Sequence, residues 1–389
     1  MCYYLSWTAL NFEPEQIDPF LCTHLTYAYA KLSEENYIIQ PQNLAHDFEF
    51  NGGLDLYKRL NAVKYLNPKL KVLLGLGGVL DSRRTAKHNS SGSKYTKLME
   101  TESMRRHFID HAVNYLIYFG FDGLELHWEY PNAEDNVNLG KFIKECNIHF
   151  AMNNLLLTMN LATNPSIMDA YDVEIINRFT DFVHLMTYDF HGYYEGVTNF
   201  ISPLYAFQPE NSVDVAVKEF IKRGLDPEKI VVGIATYAKS YTLLRASING
   251  VGSPVIGPGH EGPFTKTMGY LSYYEVCGNN WWHIEDKSGY TGAYVVKNQQ
   301  WASYNDQKSV ITKSQYVLKE KLLGVSFWSL DQDDFSDLCR RGHFPLINAA
   351  KKELNRTEPG LVAVDRCMTD GFYRDQLDCR KFFECSRGM

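Results

Sequence analysis

Short β-branched or aromatic runs recur along the chain and alternate with longer stretches of helical period. Eight runs read as strands: 3–7, 24–30, 70–77, 122–129, 155–161, 181–187, 230–236 and 323–329. Helical periodicity lies between them, most clearly over 102–118, 136–152, 213–223 and 310–322. Met104, Phe108, Ala112 and Leu116 return every four residues, the spacing that lines one buried helix face. Eight strands, mostly alternating with helices, predict an α/β fold in which a parallel sheet closes into a (β/α)8 TIM barrel. The first connection is short and poorly helical. The gap between the seventh and eighth strands is long, with Gly and Pro punctuation over 250–262 followed by 270–275 and 290–296. It predicts a small α+β insertion between strands 7 and 8, at about 240–305. A final helix is expected near 344–354.

A chain of 389 residues has room for one large barrel with insertions. A hydrophobic content of 45% supports a sizeable core. The net charge of −7 argues against nucleic acid as a partner. No stretch reaches the roughly 18 apolar residues of a membrane span, so no membrane partner is expected. Aromatic residues make up 14%, which fits either a large aromatic core or a groove whose flat side chains stack on sugar rings. Eight cysteines (2, 22, 146, 277, 339, 367, 379 and 385) suit an oxidising compartment without fixing their pairing. The sequons at Asn89 and Asn355 agree with a secreted, extracellular glycoprotein. Because the chain begins directly inside an apolar run, a signal peptide is expected upstream.

The chemistry concentrates on the fourth strand, Phe121-Asp122-Gly123-Leu124-Glu125-Leu126-His127-Trp128-Glu129-Tyr130-Pro131. Side chains alternate faces along a strand. Glu125, His127 and Glu129 therefore share one face, while Leu124, Leu126 and Trp128 share the other. In a barrel the apolar set packs on the helices and the ionisable set points inward, where an unpaired charge is costly. Three readings follow: a hydrogen-bonded polar plug, a ligand-facing catalytic row with Glu129 at the mouth, or a metal set. No further ligand group stands nearby, so neither a metal nor a cofactor is expected.

This run resembles the F-D-G-x-D-x-D-W-E-Y-P signature of family 18 glycoside hydrolases, the chitinases. Asp122 and Glu129 match it, whereas Glu125 and His127 replace its two inner aspartates. The resemblance continues in order: Cys2-Tyr3-Tyr4 through Trp7, Cys22-Thr23-His24 through Ala30, Leu70 through Gly78, and Met186-Thr187-Tyr188-Asp189-Phe190-His191-Gly192. It goes on through Tyr237, where Ala238-Lys239 replaces the usual Gly-Arg or Gly-His, then Tyr273–Cys277, and ends at Phe327 through Asp331 with Asp333-Asp334-Phe335.

The resemblance implies a substrate-assisted mechanism in which Glu129 protonates the glycosidic oxygen and the substrate's N-acetyl oxygen attacks the anomeric carbon. It makes Glu129, His127, Glu125, Tyr188 and Asp189 the catalytic set. Tyr188 would hold the acetyl oxygen and Asp189 the sugar. It gives Trp7, Tyr29, Gly77, Gly78, Val79, Tyr130, Met186, Thr187, Tyr237, Glu275 and Trp328 to substrate binding, with Trp328 as the floor. Val79 stands where chitinases usually carry Trp. It also implies disulfides Cys2–Cys22 and Cys277–Cys339, leaving Cys146 free.

Residues 1–354 would form the barrel and 355–364 a linker. Cys367, Cys379 and Cys385 among aromatic residues in 365–389 resemble part of a peritrophin-type chitin-binding module, as in arthropod chitinases. The function implied is binding of chitin or N-acetylglucosamine oligomers, with hydrolysis weak or lost because of His127. The alternative is an active secreted endo-chitinase cutting β-1,4-N-acetylglucosamine linkages with Glu129 as proton donor. A third reading, an interaction protein that binds no sugar, is opposed by the retained Glu129, Tyr188, Asp189 and Trp328.

Overall fold

A computed structural model describes residues 1–49, 51–82, 93–205, 211–278, 280–285, 292–354, 371–374 and 382–385. Eight strands form its centre: β1 (Cys2–Leu5), β2 (His24–Leu32), β3 (Lys71–Gly77), β4 (Gly123–His127), β5 (Leu156–Leu161), β6 (Phe182–Leu185), β7 (Ile230–Ala235) and β8 (Gly324–Trp328). Each pairs in parallel with the next, and β8 pairs with β1, so the sheet closes on itself as a (β/α)8 TIM barrel. The strand Ile39–Pro41 adds an antiparallel rung to β2.

Helices wrap the barrel where the period called for them, including Glu102–Phe119, Asn136–Met152, Val213–Lys222, Gln307–Lys319 and Pro345–Glu353. The first of these shows why it starts and stops where it does. The Thr101 side chain accepts from the Met104 amide, and Gly120 ends the helix at φ +76°. Its Phe108, Ala112 and Leu116 are fully buried. The first connection carries the short 3-10 turns Ser6–Thr8 and Pro14–Gln16 and no α-helix.

Several strands end sooner than expected. β1 stops at Leu5, which leaves Trp7 in a 3-10 turn, and β6 stops at Leu185. β4 stops at His127, opposite Gly77 of β3, so Glu129 sits past the last rung at the barrel mouth. The insertion is an antiparallel sheet of Tyr237–Leu243, Val255–Pro258, Tyr270–Ser272, Trp282–Glu285, Ala293–Lys297 and Gln300–Tyr304 with the one-turn helix Tyr273–Val276. It starts at Tyr237 rather than near 240, because that strand continues directly from the β7 exit.

Disulfides join Cys2 to Cys22 and Cys277 to Cys339, the second fastening the insertion to the chain beyond β8. Cys146 is buried and free. The sequons at Asn89 and Asn355, the linker 355–364, and Cys367 and Cys379 lie outside the described residues. Within 365–389, the strands Gly371–Arg374 and Phe382–Cys385 pair antiparallel. Among the described residues no helix is long and apolar enough to cross a membrane.

Candidate functional site

The alternation along β4 decides the site. Leu124, Leu126 and Trp128 join the main hydrophobic core, between barrel and helices. Glu125 and His127 face the barrel interior and are 0% and 2% exposed. Glu125 accepts from Tyr3 Oη at 2.7 Å, Asn160 Nδ2 at 2.9 Å and Thr26 Oγ1 at 3.3 Å. Its buried charge is thus met by three donors from three other strands. His127 stands above it, with Nδ1 3.8 Å from Glu125 Oε1 and Nε2 2.9 Å from Glu129 Oε1. Burial pushes the imidazole down, but hydrogen bonds and charge from Glu125 and Glu129 pull harder and raise it. Deeper in the barrel, His184 lies between Tyr3 Oη and Ser326 Oγ, and burial together with His127 pushes it down.

Above this row opens a cavity of about 510 Å³, lined by His127, Glu129, Tyr130, Met186, Tyr188, Asp189, Tyr237 and Trp328 among others. Each of these comes from the C-terminal end of a barrel strand or the turn after it, where such folds place their chemistry. Burial holds the Tyr29 and Tyr188 hydroxyls well above their usual range, so both remain protonated and can donate. Asp189, at φ +56°, accepts from Tyr237 Oη at 2.7 Å and lies 3.0 Å from Lys239 Nζ. Trp328 lines the cavity, with Tyr29 stacked on it at 5.9 Å and Tyr3 tilted against it at 4.9 Å.

Other residues expected at the site stand elsewhere. Glu125 lies beneath His127 rather than on the cavity wall. Gly77 and Gly78 contribute backbone: Gly78 N donates to the His127 carbonyl at 2.8 Å. Trp7 and Val79 are half-exposed at the mouth, outside the cavity lining. Thr187 does not face ligand space; it is buried, with Oγ1 donating to Gly233 O at 2.7 Å. Glu275 also stays out of the cavity. Its carboxylate is engaged by the amides of Phe264 at 2.7 Å, Thr265 at 3.1 Å and Ser272 at 2.8 Å, which pins a loop and caps the helix Tyr273–Val276.

Sequence reasoning missed Tyr3, Asn160, His184 and Ser326 as parts of the interior network, and Thr163, Asn164 and Tyr194 on the cavity wall. The first four are polar residues at inward positions of period-2 strands, a signal that was available.

Set against known proteins, Glycosyl hydrolases family 18 matches residues 1–333. Chitotriosidase-1 of Mus musculus is 35% identical over 381 residues, covering 91% of this chain and 78% of that protein. Among solved structures, catalytic domain 2 of the Group II chitinase of Ostrinia furnacalis is similar at a TM-score of 0.84 and 33% identity, over 91% of this chain and 96% of that one. Human YKL-39, described as a pseudo-chitinase with retained chitooligosaccharide binding properties, is similar at a TM-score of 0.81 and 34% identity, over 91% of this chain and 98% of that one.

Proposed function

This chain belongs to glycosyl hydrolase family 18, and we propose that it binds chitin or N-acetylglucosamine oligomers with hydrolysis weak or lost. The observation that carries this reading is His127 Nε2, 2.9 Å from Glu129 Oε1. In the substrate-assisted route Glu129 must deliver a proton to the glycosidic oxygen. An imidazole that donates its Nε2–H to Glu129 favours the carboxylate over the acid, whether the ring is neutral or cationic. Nor does the ring supply the negative charge that would balance an oxazolinium ion. Loss of one preorganised electrostatic partner of this kind costs about 10²–10³ in rate. Val79, an aliphatic side chain at the mouth, gives less stacking surface than an aromatic ring would.

Binding is supported by the cavity itself, where Tyr188, Asp189, Tyr237 and Trp328 converge. Met186 and Tyr130 extend its wall, and Tyr29 backs Trp328. The similarity to human YKL-39 points the same way. Glu129 at the mouth favours the second reading, an active endo-chitinase with Glu129 as acid and base. The paired disulfides and the two sequons support a secreted protein. The cysteines of 365–389 support a peritrophin-type chitin-binding module there.

Hydrolysis of fluorogenic chitobiose and chitotriose by wild type, His127→Asp and Glu129→Gln tests the reading, beside calorimetric binding of chitotetraose. The expected outcome is measurable binding in wild type and a gain in kcat of about 10²-fold in His127→Asp. Turnover in wild type equal to that of His127→Asp, and abolished in Glu129→Gln, establishes the endo-chitinase instead.

A further inference from the structure

The His127 ring has two faces, and the second is governed by a residue outside the motif. Asn160, on β5, is 1% exposed. Its Nδ2 lies 2.9 Å from Glu125 Oε1 and 3.1 Å from Tyr3 Oη, and it also contacts His127 Nδ1. Its Oδ1 is buried and has no hydrogen-bond partner among the described residues. The amide's orientation is therefore set by what surrounds the nitrogen. Turned the other way, Oδ1 would face the Glu125 oxygen, acceptor against acceptor, and Glu125 would lose a donor. Nδ2, held inward, lies against His127 Nδ1 and offers it a donor. A lone pair on that ring nitrogen meets the donor, whereas a proton there opposes donor to donor.

We infer that Asn160 is a positioning residue that makes Nδ1 the nitrogen this raised ring deprotonates first, so that the last proton stays on Nε2, towards Glu129. The other groups facing the ring act on it differently. Tyr29 Oη lies 3.0 Å from Nδ1 and 3.3 Å from Nε2 and serves either nitrogen. Glu125 and Glu129 both favour a second proton, one at each end of the ring. His184, deeper in the barrel, is pushed down by burial and by His127, so it stays neutral and sets no charge against a second proton. Glu129, 2.9 Å from Nε2 against 3.8 Å for Glu125 from Nδ1, already draws a proton to Nε2, and the Asn160 amide adds to that choice by offering Nδ1 a donor. The consequence deepens the reading of His127 given above, on which it rests. With Nδ1 filled by the Asn160 amide and Nε2–H given to Glu129, the ring keeps no lone pair for the N–H of a substrate acetamide.

The test is a ¹⁵N NMR titration of the His127 ring in the sugar-free protein, wild type beside Asn160→Ala and Asn160→Ser. In wild type the singly protonated ring should carry its proton on Nε2. In both variants the second proton should persist to a pH at least one unit higher, a tenfold gain in proton affinity. A wild-type neutral ring protonated on Nδ1 overturns the inference. So does a variant ring that loses its second proton at or below the wild-type pH. The wild-type tautomer needs no variant, so poor folding of the variants does not spare the proposal. Because no sugar or turnover is involved, its failure leaves the binding reading standing. An active wild-type enzyme, in turn, leaves the tautomer assignment untouched.

Discussion

Gly77 leaves β3 at φ +122°, and a Cβ there would stand 2.2 Å from the carbonyl oxygen of His127. At Gly78, φ +79°, the added carbon would stand 2.5 Å from the Tyr29 ring. Both positions require glycine, but the obstacles differ in kind. The first is barrel backbone, which cannot yield without breaking the rung between β3 and β4; the second is a side chain that can tilt. Backbone strain alone costs about 1–3 kcal/mol at such a position. Gly77→Ala should therefore destabilise the fold by more than Gly78→Ala. Gly78→Ala should instead weaken chitotetraose binding, by moving the tyrosine that backs Trp328. Urea unfolding with calorimetric binding separates the two, and equal unfolding costs would show that the strand end gives way more readily than the packing implies.

At the scale of elements, β4 was legible because its alternation is a local property: Leu124, Leu126 and Trp128 fall in the core, and Glu125 and His127 inside, as period 2 demands. The barrel followed from the same local periods repeated eight times. The interior network was harder to foresee, since Tyr3, Glu125, Asn160, His184 and Ser326 sit on five strands and meet only when the sheet closes. Side-chain direction outside regular strands was harder still. Glu275 was assigned to substrate by resemblance, yet its carboxylate accepts three backbone amides of its own subdomain. Glu275→Ala should cost about 1–3 kcal/mol of stability, from hydrogen bonds to a carboxylate lost at a part-exposed loop, and speed hydrogen exchange at Phe264 and Thr265. Chitotetraose affinity should stay within twofold of wild type. A tenfold loss of affinity with unchanged exchange would return Glu275 to the groove.

Across the whole molecule, one buried cation ties the helical layer to the site. Lys313, on the helix Gln307–Lys319, is 0% exposed. Its Nζ donates to Ser202 O at 2.5 Å, Ser202 Oγ at 2.8 Å and Asn305 Oδ1 at 2.6 Å. Ser202 Oγ donates onward to Thr187 O at 2.6 Å, and Asn305 Nδ2 to Ala235 O at 2.9 Å. One lysine thus clips together the exits of β6 and β7, beside Tyr188 and Tyr237. Among the described residues no carboxylate touches it. Burial pushes Lys313 down to about 7, against a weaker opposing pull from Asp306. In the unfolded chain the same amine holds its proton to about pH 10.4. Between those values the unfolded state binds a proton that the folded state has released, so stability gained from this group rises with pH. It is fully present above the unfolded value and lost as pH falls through about 7. Lys313→Met cannot titrate, so the stability of wild type relative to this variant should grow by about 2 kcal/mol from pH 7 to pH 9. His127, raised by its carboxylates, loses stability as pH rises, but it does so in both proteins and cancels in the difference. Urea unfolding at pH 7, 8 and 9 reads the effect directly. Parallel profiles for the two proteins would mean that three neutral acceptors suffice to keep the Lys313 ammonium charged inside the fold.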